Sequence, residues 1–599
     1  MVNKAKRKGE ILYVLRFFLK EKPTYLFVVF TESLIWSLTY IFTSIYLLKL
    51  LFDFMENEEA LKKIIILILC AAILCLSVYL LNVVVNRYYK PQIRAILSEK
   101  IKLTIYKKYI ELPLSILEAC EIQENYYFII QDSADRFFYV IEDLSKMIGQ
   151  IVSILFIIGI FVSIDWLVLF FIIIFSILLY LFQLHKNKIM YEKEMALIYQ
   201  NKEKEYINRL FYLPEFAKEL RLTNITNVAF DRFNNCYQDL AKKIKEHGRR
   251  IVIIDMLMFI ITSLVFDLLM LFYLTIQLMV YKLISIGDYI AAISSIWKLY
   301  DNITGIISSV TKFKLHSSFI RKYIDFIDLT SYATLNKNIP ENFLSLEINN
   351  IGFSYNGQIN AVNNLSLKIM AGEKIAIVGH NGAGKTTLIK LLLGLYDPQV
   401  GCISYNGQNI NQFNREHYKN KFRLVSQDNN LYALPFGDNI FMDKYSEKMC
   451  AQYNEVCRKA QISDMICKHE ILPTSKMTVE FDEKGIVLSG GENQRVSIAR
   501  LFSYDSAEIY VLDEPNSALD AFQENVINEI LTDGSMEKTL IVITHKLAIA
   551  KQVDRIYFLN NGEIVESGNH SNLMKQKGKY YELFNLQLKS MEANCDEIE

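Results

Sequence analysis

Long apolar segments dominate the first half of the chain. Each has about 20 residues or more, which is enough for a helix to cross a hydrocarbon core about 30 Å thick. They lie at about residues 25–51, 64–85, 140–164, 166–184, 251–280 and 287–311. One such segment alone could be a buried helix of a soluble domain, but six in series predict a membrane domain with six transmembrane helices over residues 1–329.

Basic residues are concentrated in the N-terminal region and in the two long connections at 86–136 and 185–250. The other connections are short, and the first of them is acidic, with Asp53 and Glu56. Cytoplasmic loops of membrane proteins carry an excess of Lys and Arg. The distribution therefore predicts that both termini and both long connections lie in the cytoplasm.

The two long connections show helical periodicity and few helix breakers, as at Ile93, Leu97 and Ile101. They are therefore predicted to continue the membrane helices into the cytoplasm. Each connection should turn around in a short segment, near Glu118–Tyr126 in the first and near Leu213–Thr223 in the second.

Polar groups inside an apolar span are costly and are therefore candidates for function. Those in the predicted spans are Glu32, Glu142, Asp255, Asp267, Lys298 and Asp301. The alternative is that they lie near helix ends or pair with one another. Lys298 and Asp301 could form such a pair, since residues three apart are neighbours on a helix.

A polar segment without apolar periodicity, residues 330–342, is predicted to link the membrane domain to a second domain at 343–599. There the pattern changes to short strands. Residues 344–348 and 365–369 alternate between apolar and polar, which is typical of half-exposed strands. The apolar run at 375–378 predicts a buried strand.

This buried strand leads into Gly379-His-Asn-Gly-Ala-Gly384-Lys385-Thr386, which matches G-x-x-x-x-G-K-[ST] and precedes an apolar helix pattern. The glycines let backbone N–H groups converge on phosphate oxygens, and the start of a helix adds a favourable dipole. Lys385 is expected to reach the β- and γ-phosphates, and the Thr386 hydroxyl is expected to bind Mg²⁺. The segment predicts a nucleotide site.

Further patterns suit ATP hydrolysis. Gln427 comes directly after an apolar strand, and the Leu-Ser-Gly-Gly sequence at 488–491 opens a helix. Asp513 and Glu514 follow four apolar residues; one carboxylate there can hold Mg²⁺ while the other orients the attacking water. His545 ends another apolar strand, where an imidazole can contact a γ-phosphate.

The order and spacing of these motifs resemble the ATP-binding cassette (ABC) family. The whole chain resembles an ABC exporter half-transporter, in which six membrane spans are fused to one cassette. The resemblance implies an α-helical membrane domain with long cytoplasmic extensions, followed by an α/β P-loop cassette that couples ATP hydrolysis to transport. It also implies that the two turning segments are coupling helices.

The resemblance further implies a role for each motif residue. Glu514 would be the general base, and His545 would position the γ-phosphate. The remaining residues would surround the nucleotide and its metal: Tyr355 stacked on adenine; Gly379, Asn381, Gly382, Ala383, Gly384, Lys385, Thr386 and Thr387 on the phosphates; Thr386, Gln427 and Asp513 on Mg²⁺; Ser489, Gly490 and Gly491 in the signature that caps the other subunit's nucleotide; and Asp520 in the loop joining the two sites.

Two residues depart from the family pattern. Glu492 stands where glutamine is commonest after the signature, and Asp482 stands where the preceding segment often has glycine. Neither change removes a catalytic group, so an active ATPase is expected. Glu492 could alter the contact between two closed cassettes.

Two chains are needed for a complete site if the signature acts on the partner's nucleotide. Because one chain holds the base, the histidine and the signature, a homodimer is favoured over a heterodimer. The 65 basic and 65 acidic residues balance, which gives no argument for a nucleic-acid partner. The other expected partners are the bilayer of a bacterial plasma membrane and a transported peptide or amphipathic small molecule.

The cargo is the least determined feature. Residues Glu215–Phe233 resemble the second cytoplasmic loop of exporters for lantibiotics and other ribosomally made peptides. Only 22 residues precede the first span, so an N-terminal cysteine-peptidase domain is not expected. Export of a modified or cyclic peptide is the expected function. A lipid flippase, a multidrug exporter, an ATPase of a peptide-modifying complex, and an importer of the same architecture stay open as alternatives.

Overall fold

The described part of the chain, in the computed structural model, comprises residues 9–56, 61–164, 166–329, 338–426, 430–504, 506–514, 538–545 and 547–596. It divides into two compact units. The first consists of Met1–Lys108 and Cys120–Leu329, and the second of Tyr109–Ala119 and Thr330–Glu599. Residues 109–119 lie inside the segment predicted as the membrane domain, yet they group with the second unit.

Long helices build the first unit. In chain order the helices up to residue 329 are α1 (Glu10–Glu21), α2 (Pro23–Ile41), α3 (Leu47–Glu56), α4 (Leu61–Val84), α5 (Lys90–Glu111), α6 (Leu114–Leu117, in the second unit), α7 (Cys120–Ile164), α8 (Trp166–Tyr212), α9 (Ala217–Leu222), α10 (Ile225–Phe259), α11 (Asp267–Met279) and α12 (Ile286–Ile327). Three π-helical segments, Phe42–Tyr46, Val85–Tyr89 and Ile260–Phe266, join α2 to α3, α4 to α5 and α10 to α11. These helices are long because their apolar runs are continuous and are interrupted only by short segments.

All six predicted spans fall on helices. By length and composition, four helical stretches of the described chain can cross a membrane: Pro23–Met55, Leu61–Glu111, Ile129–Val162 and Trp166–Glu194. The fifth predicted span includes the shorter apolar helix α11, and the sixth lies on α12, which carries Asp288, Lys298 and Asp301. The count of six spans stays a prediction.

The two turning segments of the long connections are present. The second consists of a 3₁₀ turn at Pro214–Phe216 followed by α9, as the sequence predicts. The first lies between Glu111 and Cys120, so its predicted position near Glu118–Tyr126 was wrong by several residues. Pro113 explains the earlier break, because proline lacks an N–H and disfavours helix at the residue before it.

Most of the charges inside the predicted spans have a partner. The predicted pair of Lys298 and Asp301 is confirmed, whereas Glu32, Asp255 and Glu142 pair with basic residues outside the predicted set. The nitrogen–oxygen distances are 2.7 Å for Lys90 and Glu32, 2.6 Å for Lys186 and Asp255, 3.3 Å for Lys298 and Asp301, and 3.8 Å for Arg94 and Glu142. Asp267 differs from these: its Oδ2 is buried without a hydrogen-bond partner among the described residues. These pairs reduce the cost of placing charges near lipid.

The second unit contains two sheets, as expected for an α/β cassette. The strands are β1 (Ser345–Phe353), β2 (Val362–Met370), β3 (Lys374–Gly379), β4 (Val400–Tyr405), β5 (Gln408–Asn409), β6 (Phe422–Val425), β7 (Ile509–Asp513), β8 (Thr539–Ile543), β9 (Arg555–Asn560) and β10 (Glu563–Gly568). One sheet has the order β2-β1-β4-β5 and is antiparallel. The other has the order β10-β9-β3-β8-β7-β6 and is parallel except for its β9–β10 edge.

Helices cover the larger sheet on both faces. They are α13 (Lys385–Leu392), α14 (Arg415–Lys419), α15 (Phe436–Phe441), α16 (Cys450–Lys459), α17 (Ser463–Lys468), α18 (Gly490–Phe502), α19 (Leu547–Ala550), α20 (His570–Gln576) and α21 (Lys579–Asp596). Two hydrophobic clusters result. One contains Val378, Leu512 and Phe558, and the other contains Ile377 and Val511. Central strands buried on both faces have continuous apolar sequences, which is the pattern seen at 375–378.

Candidate nucleotide site

Three parallel strand ends meet at one edge of the larger sheet. β3 pairs with β8 and β8 with β7, so Ile377 lies opposite Ile543, and Ile543 lies opposite Asp513. In sheets of this kind ligands bind beyond the carboxyl ends of the strands. The phosphate loop, Glu514 and His545 all follow these ends, so the fold brings together motifs that are far apart in the sequence.

The phosphate loop needs its glycines for backbone reasons. Gly384 has a φ of +98°, and a Cβ there would lie 2.4 Å from the carbonyl oxygen of Ala361. At Gly379 a Cβ would lie 2.3 Å from the carbonyl oxygen of Leu559. A side chain at either position would therefore displace backbone. The loop ends where α13 begins, so the free N–H groups of that helix's first turn lie next to it.

The middle of the loop is formed by Asn381, Gly382 and Ala383. Asn381 and Gly382 are exposed, and Gly382 has a φ of +81°. Ala383 is buried, and its carbonyl oxygen accepts a hydrogen bond from the Gly562 N–H at 3.1 Å. One end of the loop is therefore fixed to the sheet, and its tip is open.

Lys385 lies under the loop with only 6% of its side chain exposed. Its ammonium group donates hydrogen bonds to the carbonyl oxygens of Gly379 at 2.9 Å and His380 at 3.0 Å. The same nitrogen is 3.8 Å from Glu514 Oε1. A buried ammonium group at the mouth of a glycine loop is suited to binding phosphate.

Glu514 and His545 face each other across neighbouring strand ends. Glu514 Oε1 is 3.8 Å from His545 Nδ1. The φ of Glu514 is +46°, which is an uncommon backbone conformation for a glutamate, and its N–H donates to the Ile543 carbonyl at 3.0 Å. The backbone carbonyl of His545 accepts a hydrogen bond from Gln587, a contact on α21 that no sequence motif indicates.

Asp513 is buried at the end of β7, and its Oδ1 has no hydrogen-bond partner within the described residues. Burial, with a smaller contribution from neighbouring Glu514, raises the pKa of Asp513 to about 6. An unpaired buried carboxylate oxygen is costly unless a cation or donor reaches it. The site therefore fits Mg²⁺, which prefers carboxylate and hydroxyl oxygens and retains several water ligands.

Binding of Mg²⁺ should depend on pH through Asp513. The raised pKa means that the carboxyl group is protonated in the metal-free cassette below about pH 6, and the proton must leave when the metal binds. The apparent Mg²⁺ affinity should therefore fall by up to about tenfold per pH unit below about pH 6 and level off above it. Mg²⁺ titrations of nucleotide binding between pH 5 and 8 measure this.

The Asp513→Asn variant is the control for this prediction. It removes the titrating carboxyl group but leaves the pH dependence of the nucleotide's own phosphates unchanged. The difference between the two pH profiles isolates the contribution of Asp513. Parallel profiles for the two proteins would contradict the prediction.

Tyr355 is placed beside the phosphate-loop helix, with 51% of the residue exposed. Its ring packs edge-on against Phe353 and Tyr396, with centroids 5.0 Å and 5.5 Å away. Its hydroxyl is 3.2 Å from Thr387 Oγ1, on the first turn of α13. The open ring face can stack on a base, as expected for adenine.

The signature residues open α18. Ser489 and Gly490 are exposed and Gly491 is partly exposed. The Ser489 hydroxyl accepts from the Glu492 N–H at 3.3 Å, and Glu492 Oε2 accepts from the Ser489 N–H at 2.8 Å. This is a capping box, which satisfies two donors at the start of the helix. The signature is therefore held in a fixed conformation at the protein surface.

The contacts of Glu492 explain why a glutamate suits this position in this chain. Besides the capping box, its Oε1 lies 3.0 Å from His469 Nε2 and 3.1 Å from Lys468 Nζ. The Ser489 backbone N–H, followed by His469 and Lys468, lowers the pKa of Glu492 to about 2. Asp482, the other departure, accepts from the Lys484 N–H at 3.1 Å and pairs with Lys476 at 3.3 Å.

Two predicted site residues, Gln427 and Asp520, lie outside the described residues. The structure places the others on two surfaces. The phosphate loop, Thr386, Thr387, Asp513, Glu514, His545 and Tyr355 surround the strand ends and the start of α13, whereas Ser489, Gly490 and Gly491 lie at the start of α18. The roles assigned to them stay predictions.

The family model for the ABC transporter matches residues 362–517. This region is an ABC transporter ATP-binding domain. The match runs from β2 through the phosphate loop and the signature to the residues just after Glu514. ATP binding by the cassette follows from this membership.

Curated relatives support the assignment. A probable multidrug resistance ABC transporter ATP-binding/permease protein of Bacillus subtilis is 30% identical over 307 residues, which are 51% of this chain and 45% of that protein. An ATP-dependent lipid A-core flippase of Salmonella typhimurium is 36% identical over 243 residues, which are 40% of this chain and 41% of the flippase. The chain thus aligns with less than half the length of these relatives.

A solved structure extends the likeness to both halves of the chain. A bacterial Atm1-family ABC exporter with ATP bound matches with a TM-score of 0.75, covering 95% of this chain and 98% of that one at 20% identity. The fold is therefore that of an ABC exporter half-transporter. A helical N-terminal domain with apolar helices precedes one ATP-binding cassette.

Proposed function

We propose that the protein is an ATP-driven membrane exporter in which ATP hydrolysis by the cassette drives alternating access. The observation that carries this proposal is the position of residues 109–119. They connect two long helices, α5 and α7, yet they belong to the compact unit of the cassette. A segment shared in this way can transmit a rearrangement of the cassette to the helices on either side of it.

Contacts inside the cassette unit hold this segment. Leu114 packs against the hydrophobic cluster beneath the phosphate-loop helix. Glu118 accepts a hydrogen bond from the Tyr396 hydroxyl, and its carboxylate is 4.0 Å from Lys390 Nζ. Tyr396 is 2% exposed, and burial, followed by the hydrogen bond to Glu118, raises the pKa of its hydroxyl.

These residues also reach the nucleotide site. Lys390 lies on α13, and its Nζ is 5.7 Å from the ring of Tyr355. The Tyr355 hydroxyl is in turn 3.2 Å from Thr387 in the first turn of the same helix. The turning segment is therefore linked through Tyr396 and Lys390 to Tyr355, the residue expected to contact adenine, and nucleotide binding can be transmitted to it along this path.

The hydrolytic step follows from the strand-end residues. Lys385 binds and orients the phosphates, and Thr386 with Asp513 would hold Mg²⁺, which supplies charge neutralisation when bound. Glu514 accepts the proton of the attacking water. His545, next to Glu514, positions the γ-phosphate. The buried surroundings of Lys385 strengthen these interactions by excluding water.

We further propose that two copies of the chain form the transporter in the bacterial plasma membrane, with both termini and the cassettes in the cytoplasm. One chain carries Glu514, His545 and an exposed, preorganised signature at Ser489. Two identical chains would therefore have two competent sites. A different partner chain would have to supply groups that this chain already contains, so a heterodimer is not needed to complete either site.

A modified or cyclic peptide is the cargo that we propose, because Glu215–Phe233 resembles a loop of lantibiotic exporters. This segment contains α9 and the start of α10. A lipid or an amphipathic drug is the second candidate. It is favoured by the names of the relatives, a lipid A-core flippase and a probable multidrug transporter.

The test is transport into inside-out vesicles containing the purified protein. A lanthionine peptide with its leader, a fluorescent phospholipid and a cationic dye are compared, with Glu514→Gln protein as background. ATP-dependent uptake of the peptide, together with stimulation of ATPase activity by the peptide alone, is expected. Uptake of only lipid or dye would replace the peptide assignment, and no ATP-dependent uptake of any probe would contradict the exporter proposal.

A further inference from the structure

The backbone that carries His545 is contacted by the last helix of the chain, α21. His545 follows β8, and its side chain is 46% exposed beside Glu514. Leu547, two residues later, begins α19 and is buried. One side chain of α21, that of Gln587, bonds to the backbone of both residues.

The amide of Gln587 joins the chain on both sides of the turn after β8. Its NH₂ group donates a hydrogen bond to the His545 carbonyl, and its oxygen accepts one from the Leu547 N–H at 3.1 Å. The donor of the amide meets a carbonyl and its acceptor meets an N–H, so the reverse orientation would lose both bonds. Backbone groups beyond the end of a strand no longer have ladder partners and need others. Gln587 supplies two of them next to His545.

The position of Gln587 on α21 explains why this polar side chain faces the interior. Tyr580, Leu583 and Phe584 pack against the hydrophobic cluster that contains Phe558, and Tyr580 is fully buried. Residues three, four and seven apart share one face of a helix. Gln587 is seven residues from Tyr580, so it lies on this same face. A polar group there needs hydrogen-bond partners, and the backbone at His545 and Leu547 provides them.

The start of α21 is fixed by separate contacts. The carboxylate of Glu566, on β10, accepts hydrogen bonds from the N–H groups of Lys579 and Tyr580, the second at 3.1 Å. A negative charge at the start of a helix is favourable. The Tyr580 hydroxyl is also 2.9 Å from His570 Nδ1 on α20. The helix therefore holds Gln587 in a defined position relative to the larger sheet.

The His545 ring depends on this backbone for its orientation. The sheet fixes the chain up to Ile543, which pairs with Asp513, and the Thr544 N–H donates to the Ile377 carbonyl at 3.3 Å. Beyond this point the ring of His545 is half exposed, and its distance of 3.8 Å from Glu514 is longer than a hydrogen bond. The position of the imidazole therefore follows the backbone to which it is attached.

We propose that Gln587 is a positioning residue for ATP hydrolysis, because it fixes the backbone at His545 and so holds the imidazole beside Glu514. The inference rests on the role proposed for His545, through which Gln587 acts. It makes the C-terminal helix a part of the hydrolytic site. Loss of Gln587 should slow turnover more than it weakens ATP binding, because a displaced catalytic group affects the transition state most.

The experiment is steady-state ATP hydrolysis by the purified full chain without cargo. Gln587→Met keeps the approximate length and volume of the side chain but removes both hydrogen bonds. Its kcat is expected to fall roughly tenfold, with a KM for ATP within about twofold of the parent value. Gln587→Glu keeps the acceptor for Leu547 but cannot donate to His545, and it should lose the same activity. Gln576→Met, at an exposed glutamine of α20, should match the parent.

A double-mutant cycle with His545 separates positioning from general destabilisation. His545→Ala is expected to leave a slow but measurable rate. Adding Gln587→Met should lower this rate no further, because the histidine that Gln587 positions is gone. A further tenfold loss in the His545→Ala background would show a purely structural role and overturn the inference.

Two other results would also overturn it. Parent kcat in both Gln587 variants, with His545→Ala slow, would refute the positioning role alone. Parent turnover in His545→Ala would refute the role proposed for His545 and this inference with it. If melting curves show that Gln587→Met does not fold, Gln587→Glu takes its place in the cycle. Failure of the vesicle transport test would leave these rates unaffected.

Discussion

The Glu514→Gln variant is expected to bind ATP normally and to lose at least about 99% of its turnover. Glutamine keeps the shape of the side chain at the end of β7, but it cannot accept a proton from the attacking water. Glu514 Oε1 is 3.8 Å from both Lys385 and His545, so it is placed where phosphate and water would meet. ATPase activity and nucleotide binding of the purified proteins, compared side by side, measure the effect.

The matched control is Glu455→Gln. Glu455 is an exposed carboxylate on α16 of the same domain, and it pairs with Lys459 at 2.8 Å. It should hydrolyse ATP at the parent rate. Turnover near the parent rate in Glu514→Gln would show that another group is the base.

The Lys385→Ala variant is expected to bind ATP about a hundredfold more weakly, since hydrogen bonds to a charged group contribute about 1.5–3 kcal/mol each. The ammonium group now donates to two loop carbonyls and lies near Glu514. Removing it eliminates the phosphate contact and leaves Glu514 without its nearest cation. Titration with a fluorescent ATP analogue measures the dissociation constant.

Lys368→Ala serves as the comparison for this variant. Lys368 is on β2 of the same domain and pairs with Glu347 at 2.7 Å on the surface. Its ATP affinity should be unchanged. A dissociation constant for Lys385→Ala within about threefold of the parent, in a protein that melts as the parent does, would disprove the role of Lys385.

Local features of the site could be predicted from the sequence. The strand, loop and helix from Lys374 to Leu392 are contiguous in the sequence. The local backbone conformation restricts which residue types fit there, as the positive φ of Gly384 shows. Ser489 and Glu492 also form a local pattern, S-x-x-E, which is typical of a capping box. Glu492 departs from the family pattern, and its spacing from Ser489 is by itself sufficient to predict the capping role.

Contacts between distant parts of the chain could not be predicted. Glu118 and Tyr396 are 278 positions apart, and no periodicity links them. Gln587 holds the His545 backbone, but a lone glutamine on a surface helix gives no signal. The hydrogen bonds to Glu32 from Asn82, Asn86 and Lys90, which lie in and on either side of the π segment Val85–Tyr89, likewise depend on how helices meet, which a hydropathy pattern does not encode.

The grouping of residues 109–119 with the cassette also determines which fragments of the protein should be stable. A cassette produced from residue 343 onward would lack Leu114 and Glu118. The apolar patch beneath Leu114 would then be exposed to solvent, and the Tyr396 hydroxyl would lose its acceptor. Such a fragment should aggregate more readily and be less stable than the same cassette within the full chain. Chimaeras that exchange ATPase modules between transporters should therefore transplant residues 109–119 together with the module.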